Sequence, residues 1–233
     1  MPEKPSQTLL SSLPSFSNIQ HGHTVVQLGN YWGTQGKEQN INIRTLVGNH
    51  YTITNKTSSN GLFGLGYYVD GLDTNRFHLD YGINGFYLAK TQVTGEILQE
   101  HLFTNLAYRY TTQHIPLFFG AKALVKNQQN AYNIIFDVGI GPNFMQVNHY
   151  RETPLDDFSI PDNAFSTHTQ VTFAAMAGIG IRLNRVIGES PLQCGYLFFY
   201  LGEGQLHMNN SQLLNTIKTG NVFGNGLLCS ITI

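Results

Sequence analysis

A histidine and a carboxylate stand two positions apart at His78 and Asp80, and this pair is well suited to proton transfer. Residues two apart in a strand share a face, so the imidazole and the carboxylate together could activate water for hydrolysis. His149 with Asp156 and Asp157 supplies the same residue types. Such pairs are also ordinary hydrogen bonds, and the sequence has no G-x-S-x-G motif and no phosphate-binding glycine motif. We therefore expect no catalytic residues and no enzyme, with a hydrolase as the alternative.

Two further groups of residues could bind a metal ion. His21 and His23 flank a glycine near the N-terminus, but no carboxylate accompanies them. An acidic segment follows Arg151, and we expect it to be a solvated loop, with a weak cation site or a partner-binding loop as the alternative. Its acidic residues are Glu152, Asp156, Asp157 and Asp162. The sequence thus predicts neither a metal nor a cofactor.

Strands are the elements that must position these residues. From Tyr132 to Phe144 the even positions are apolar or aromatic, whereas the odd positions are mostly Gly, Asn and Asp. Successive side chains of a strand point to opposite faces, so one face here is apolar and the other carries small and polar residues. A soluble sandwich would bury the oily face. A membrane barrel would turn it toward lipid and the polar face toward its lumen.

This alternation recurs along the chain and predicts an all-β, antiparallel up-and-down transmembrane barrel, with no helix beyond one turn near 97–103. Strand 193–208 is apolar on both faces and cannot be oriented. The ten predicted strands are 24–33, 41–54, 61–70, 76–88, 102–112, 115–126, 131–148, 167–183, 193–208 and 221–233.

Connection lengths leave a second strand count open. The long segments 149–166 and 209–220 fit outer loops, because outer loops of such barrels exceed the periplasmic turns in length. The long connection 89–101 and the short turn at 113–114 break that rule, so eight strands is the alternative count. Residues 1–22 are rich in Pro and Ser and are expected to be a flexible tail, which leaves 23–233 as the barrel domain.

Composition favours the barrel over a soluble fold. Charged residues make up 12% of the chain, about half of the usual ~25%, while 41% of residues are hydrophobic. A soluble sandwich would carry Lys and Glu at ordinary density on its outer face, so a lipocalin-like carrier is the less favoured alternative. The net charge of −1 and the scattered basic residues give no surface for nucleic acid.

The alternation assigns residues to the two sides of the wall. Enclosed charges must pair, so charges of both signs on the polar faces predict a network that plugs the lumen. Barrels of eight to ten strands enclose little more than their own side chains, so we expect no sizeable pore. The predicted lumen charges are Arg44, Asp70, Arg76, Asp80, Arg109, Lys122, Asp137 and Arg182. The predicted lipid-facing residues are Phe63, Leu65, Tyr67, Phe77, Leu79, Tyr81, Ile134, Phe136, Val138, Ile140, Phe173, Ile179 and Ile181.

Cys194 and Cys229 fall near one edge of the last two predicted strands. A bridge between them is one alternative. We expect two independent thiols, since two cysteines are too few for a disulfide framework.

The last strand, NVFGNGLLCSITI, carries a resemblance to a known family. Its residues Phe223, Leu227, Ile231 and Ile233 share one face. This resembles the C-terminal assembly signal of Gram-negative outer-membrane barrels, although those usually end in Phe. The Gly-punctuated segments YNIIFDVGIGPNFMQVNHYRET and STHTQVTFAAMAGIGIRLN, followed by CGYLFFYLGEGQL, are similar to small outer-membrane β-barrel proteins, OmpA-like in size, and the similarity covers about 24–233. It implies outer-membrane lipid and the barrel assembly machinery as partners.

These observations together predict an outer-membrane protein of a Gram-negative bacterium. We expect a plugged lumen and a structural or surface-interaction role, in which the outer loops meet a host or cell-surface ligand. A narrow channel for ions or small solutes is one alternative, and an outer-membrane hydrolase is the other. The first 20 residues lack the hydrophobic segment of a secretory signal. We expect the mature form, with Met1 in place of a removed signal, and a native Met1 would weaken the outer-membrane interpretation.

Overall fold

The structure is a computed structural model that describes residues 22–126, 132–187 and 190–233. Its described residues form twelve strands and no helix. The predicted tail and His21 lie outside them, apart from Gly22, which begins the first strand. The strands are β1 (Gly22–Thr34), β2 (Gln39–Ile41), β3 (Asn49–Tyr51), β4 (Thr57–Asp73), β5 (Phe77–Gln99), β6 (Phe103–Val125), β7 (Tyr132–Pro154), β8 (Phe165–Ser166), β9 (His168–Ile187), β10 (Ser190–Gln205), β11 (His207–Met208) and β12 (Lys218–Thr232).

Eight of these strands close into an antiparallel ring in the order β1-β4-β5-β6-β7-β9-β10-β12. The ring is completed where β12 pairs with β1, from Val25 opposite Thr232 to Thr34 opposite Phe223. Each ring strand therefore neighbours the ring strands before and after it in the chain. The predicted up-and-down barrel class is confirmed, and the number of strands is eight, the alternative count.

The ten predicted strands become eight because one of them is not part of the ring and two others are a single strand. The segment 41–54 holds only the short β2–β3 hairpin, which pairs with the far end of β5. The segments 102–112 and 115–126 form one continuous strand, β6. The long connection predicted at 89–101 is mostly the upper half of β5, a strand of 23 residues. Since about 9–11 residues span a membrane, these strands project beyond it.

Among the described residues, the two ends of the barrel carry different segments. The lower end holds the start of β1, the C-terminal Ile233, the connection that follows β4 and the last residues of β6 and β9. The outer end holds the segments 35–56, 100–102, 155–167 and 206–217, with the β2–β3 hairpin and the small β8–β11 sheet. The long connections thus share one end, as expected when the chain begins at the periplasmic side.

An apolar band encircles the barrel between these ends. The structure places the predicted lipid-facing residues on the outside, where all except the half-buried Leu79 are exposed. On β7 the band runs from Tyr132 to Phe144, which is about 40 Å of strand and, at a tilt of about 40°, roughly 30 Å of height. That height matches the hydrocarbon core of a bilayer.

A polar side chain within this band is satisfied locally. Asn225 points outward from β12, and its Oδ1 accepts a hydrogen bond of 2.5 Å from the hydroxyl of Tyr196. Polar groups that face lipid need such partners, because no water is available there. The described residues contain no helix long and apolar enough to cross a membrane.

The middle of the lumen is filled by an aromatic layer formed by Phe86, Phe118 and Phe199. Their side chains are at most 1% exposed, and their ring centroids lie 5.3–6.1 Å apart. Strand β10, which could not be oriented from its sequence, contributes Leu197, Phe199 and Leu201 to the inside and keeps Tyr196 and Phe198 outside. Apolar contact, rather than charge pairing, therefore fills this level of the barrel.

Candidate functional site

Three of the predicted lumen charges are not in the lumen. Arg44 lies exposed in the outer segment 35–56, because 41–54 is not a ring strand. Arg76 is exposed in the connection after β4. Arg109 points outward from β6, whose inward positions are even-numbered, and it lies opposite Arg151 of β7 beyond the apolar band. The prediction for these arginines is wrong.

The predicted charges Lys122 and Asp137 face each other inside the barrel, below the aromatic layer. The Lys122 ammonium lies 3.7 Å from Asp137 Oδ1 and donates a hydrogen bond of 3.0 Å to Gln193 Oε1. It also lies 4.8 Å from the centre of the Tyr68 ring, which is a cation–π contact. Beside it, Gln27 donates to Asn84 over 2.8 Å. The charge is therefore paired and partly shielded, as a buried ammonium requires.

The remaining predicted charges, Asp70, Asp80 and Arg182, meet at the lower end together with His23 and His78. We call these five residues the lower-mouth cluster. These residues come from β1, β4, β5 and β9 and line a cavity of about 280 Å³. His78 Nε2 lies 2.7 Å from Asp80 Oδ1 and 3.5 Å from Asp70 Oδ1. The structure therefore adds Asp70 to the His78–Asp80 pair, through the antiparallel register that sets Asp70 opposite Asp80.

The second predicted His–Asp combination is not assembled. The Nδ1 atom of His149 contacts Asn148 Oδ1 at 2.6 Å and Thr111 Oγ1 at 3.2 Å. Asp156 instead accepts hydrogen bonds within its own turn. The donors are the backbone N–H of Ser159, the Ser159 hydroxyl and the backbone N–H of Phe158, and these bonds hold the pKa of the Asp156 carboxyl below its usual value. Asp156 therefore orders the loop.

The outer segments are bound to one another by hydrogen bonds. Gln39 and Lys218 exchange two bonds, of 2.9 and 3.0 Å, and link segment 35–56 to the start of β12. The backbone N–H of Val47 donates to Glu100 Oε2 over 3.1 Å, and this bond links the same segment to the β5–β6 turn. Beneath them the aromatic rings of Tyr51, Tyr108 and Phe165 pack edge to face. The outer end is therefore a folded cap with its own apolar core.

Glu152 fixes the acidic outer loop in place. Its buried carboxylate accepts hydrogen bonds from the backbone N–H groups of Asp162 (2.9 Å) and Asn163 (3.1 Å) and from the hydroxyl of Tyr150 (2.5 Å). Of the four acidic residues predicted to form this loop, Asp156, Asp157 and Asp162 are exposed, whereas Glu152 is inside. This role could not be predicted from the sequence, because a glutamate in an acidic run is usually solvated.

We expect Glu152→Gln to loosen the loop without opening the barrel. The amide NH2 would face backbone donors in place of a carboxylate oxygen, and a hydrogen bond to a charged group contributes about 1.5–3 kcal/mol. Limited proteolysis should therefore cleave within 155–164 at least about tenfold faster, while the unheated protein keeps its compact gel mobility. Asp157→Asn, an exposed change in the same loop, is the control. An unchanged cleavage rate in Glu152→Gln would contradict the assigned role.

The tips of the outer segments expose large apolar side chains, which we call the apical residues. Phe158 is 91% exposed and Ile160 is 85% exposed, although both belong to the acidic loop. The apical residues are Leu46, Val47, Leu102, Phe103, Leu155, Phe158 and Ile160. Sequence reasoning missed them. The available signal was that large apolar residues occur in a loop segment that has no strand period.

Cys194 and Cys229 form a disulfide, so the expectation of two independent thiols is wrong. The two residues are directly paired across β10 and β12, with their Cα atoms 4.1 Å apart. Both side chains point outward, because each lies in phase with its strand's apolar outer positions. The sequence predicted both cysteines near one edge of the last two strands. It could not predict the register that pairs them.

No protein-family model matches the sequence, and none of the curated proteins compared with it is similar. Solved structures do resemble it. The outer membrane protein OprG from Pseudomonas aeruginosa is 11% identical, covers 91% of this chain and 96% of its own, and gives a TM-score of 0.45. Neisserial surface protein A is 10% identical over 90% and 96%, with a TM-score of 0.42. The outer membrane protease OmpT from Escherichia coli is 7% identical over 92% and 95%, with a TM-score of 0.44. The likeness is one of barrel fold alone.

Proposed function

We propose that this protein resides in the outer membrane of a Gram-negative bacterium and binds a host or cell-surface ligand through its outer loops. The observation that carries the proposal is the exposure of the apical residues on an ordered cap. Soluble surfaces rarely expose large apolar groups together without a binding role. In this interpretation the protein acts by binding and not as an enzyme.

Two features support the membrane location. The apolar band matches a bilayer in height, and water would be a poor solvent for its exposed aromatic and aliphatic side chains. The disulfide between Cys194 and Cys229 belongs to an oxidising compartment, and the periplasm of bacteria is one. We further propose that the outward residues of β12, namely Phe223, Leu227, Ile231 and Ile233, are bound by the barrel assembly machinery.

Preorganisation of the cap supports the binding role. Hydrogen bonds among the outer segments and the Glu152 contacts fix the loops before any ligand arrives. Binding then costs less conformational entropy than it would for mobile loops. The exposed Asp157 and Asp162 lie beside Phe158 and Ile160 in the chain, so the surface combines apolar anchors with negative charge.

We also propose that the lumen is closed to solutes. Phe86, Phe118 and Phe199 fill its middle, and Lys122 is held against Asp137 below them. A narrow channel remains the competing function. Purified protein in planar bilayers should show no steady openings, and reproducible single-channel steps would contradict the closed lumen.

The binding role predicts a strong effect of the double change Phe158→Ser and Ile160→Ser. Buried aromatic and aliphatic anchors dominate the energy of most interfaces, so adhesion of bacteria that express the protein to a cultured epithelial layer should fall about tenfold or more. The measurement is the number of adherent bacteria per cell, relative to bacteria that carry an empty vector.

Asp157→Asn tests whether any change in this loop has the same effect, and it should retain at least half of the adhesion. Surface display of each variant is checked by protease treatment of intact bacteria. Membrane insertion is checked by gel mobility before and after boiling. If displayed wild-type protein gives no adhesion above the empty vector, the proposed ligand class is refuted, even though the barrel assignment stands.

A further inference from the structure

The lower-mouth cluster contains two carboxylates that the fold forces together. Asp70 of β4 and Asp80 of β5 are direct cross-strand partners on the inner face. Like charges directly opposite each other destabilise a sheet unless something compensates them. The Asp80 side chain is only 3% exposed, so water screens it poorly. A positive charge between these two carboxylates would therefore stabilise the barrel.

The ligand atoms of three residues already converge. One ring nitrogen of His78 and one carboxylate oxygen each from Asp70 and Asp80 all lie within 4.8 Å of one another. His78 Nε2 is 2.7 Å from Asp80 Oδ1 and 3.5 Å from Asp70 Oδ1. Ligands held about 2.1 Å from one ion, at angles between 90° and 109°, are roughly 3.0–3.4 Å apart. The two distances from His78 Nε2, 2.7 and 3.5 Å, lie on either side of this range, and the two carboxylate oxygens lie within 4.8 Å of each other.

Asp80 Oδ1 provides an independent observation. It is fully buried and accepts no hydrogen bond, although His78 Nε2 is only 2.7 Å away. The N–H direction of the ring therefore misses this oxygen. Two ligand atoms of the same metal ion also lie close together without a hydrogen bond between them, since both point at the ion and not at each other. A buried carboxylate oxygen that accepts no hydrogen bond is otherwise costly.

The far side of the His78 ring is arranged as it is in metal sites. Its Nδ1 lies 3.3 Å from Asp73 Oδ1, and Asp73 is in turn bound by Lys126 Nζ at 2.5 Å. A carboxylate on one ring nitrogen holds the proton there and leaves the other nitrogen free to bind a metal. His23 Nδ1, at 3.9 Å from Asp70 Oδ1, is close enough to add a fourth ligand.

We propose that the lower-mouth cluster binds one divalent transition-metal ion through His78, Asp80 and Asp70. Zinc fits best, because it accepts imidazole and carboxylate ligands together. The half-exposed Asp70 and the cavity of about 280 Å³ give the ion a path from the lower end. Arg182 lines the same cavity and supplies the positive charge that faces the carboxylates when no metal is bound.

The test is a zinc titration of the full-length, untagged protein in detergent after treatment with a chelator, followed by calorimetry. The wild type should bind one zinc ion per chain. His78→Gln and Asp80→Asn should each weaken binding at least tenfold, because each removes a ligand. Asp73→Asn should weaken binding about tenfold through the orientation of His78. Gel mobility before and after boiling shows that each variant is folded.

Two controls separate this site from adventitious binding. His149→Gln and Asp157→Asn remove exposed groups of the same chemistry at the outer end and should leave zinc affinity unchanged. His21→Gln removes the neighbouring histidine of the N-terminal segment and should also leave it unchanged. The proposal is overturned if folded wild type binds no zinc, if His78→Gln binds as tightly as wild type, or if His21→Gln alone abolishes binding. His78 is half-buried near the mouth, so its variant keeps the test valid even if Asp80→Asn does not fold.

Discussion

Replacing Phe199 with alanine should lower the free energy of unfolding by about 3–5 kcal/mol. Phe199 is fully buried between Phe86 and Phe118, with ring centroids 5.3 and 6.1 Å away. The substitution removes most of a phenyl ring from the middle of the lumen. The β-strands around it are fixed by their ladder of hydrogen bonds, so they cannot close the space. Urea-induced unfolding of the protein in lipid vesicles measures the loss.

The neighbouring residue gives a matched control for Phe199→Ala. Phe198 has the same side chain on the same strand, but it points outward into the apolar band. Lipid chains can fill the space that Phe198→Ala leaves, so its cost should be clearly smaller. Equal costs for the two variants, or a cost below about 1 kcal/mol for Phe199→Ala, would mean that the lumen is not packed as described.

Arginine in place of Val138 should destabilise the inserted barrel by about 2–4 kcal/mol. Val138 is exposed on β7 midway between Tyr132 and Phe144, so its side chain faces the centre of the apolar band. A guanidinium at that depth must lose water or deform the bilayer to reach it. The same vesicle unfolding experiment measures the effect.

Gln146→Arg is the control for Val138→Arg. Gln146 lies on the same strand and the same outer face, but beyond Phe144 and level with the polar Gln113 and Thr169. Its arginine would reach water, so the cost should be about 0–1 kcal/mol. If both arginines cost the same small amount, the band would not face lipid, and the oily side of β7 would need another explanation.

Several features of the fold could be predicted from the sequence because they are local. The alternation from Tyr132 to Phe144 assigned the outward face of β7, since a strand has a period of two wherever it lies. The same rule placed Lys122 and Asp137 on inward faces. Charged residues were also too scarce for a soluble surface.

Alternation along the sequence could not assign inward and outward residues where a strand switches between even and odd inward positions, or where a segment is not part of the ring. In β5 the inward positions are even up to Leu88 and odd from Thr91 onward, because the register shifts between them. In β7 the inward positions are odd up to Val147 and even from Tyr150 onward. The change occurs at a similar irregularity, where His149 has a φ of 54°. Arg44 was misplaced for a different reason, as its predicted strand is part of the outer cap. A period of two cannot show either event.

The sequence by itself determined that this chain is a β-barrel with an apolar outer surface, because the faces of strands follow from the order of neighbouring residues. The tertiary structure alone decided which strands pair and in what register. That register joins Cys194 to Cys229, sets Asp70 opposite Asp80 beside His78, and closes eight strands into a ring. The physical reason is that these contacts join residues from different strands, and their energies depend on the closed barrel as a whole.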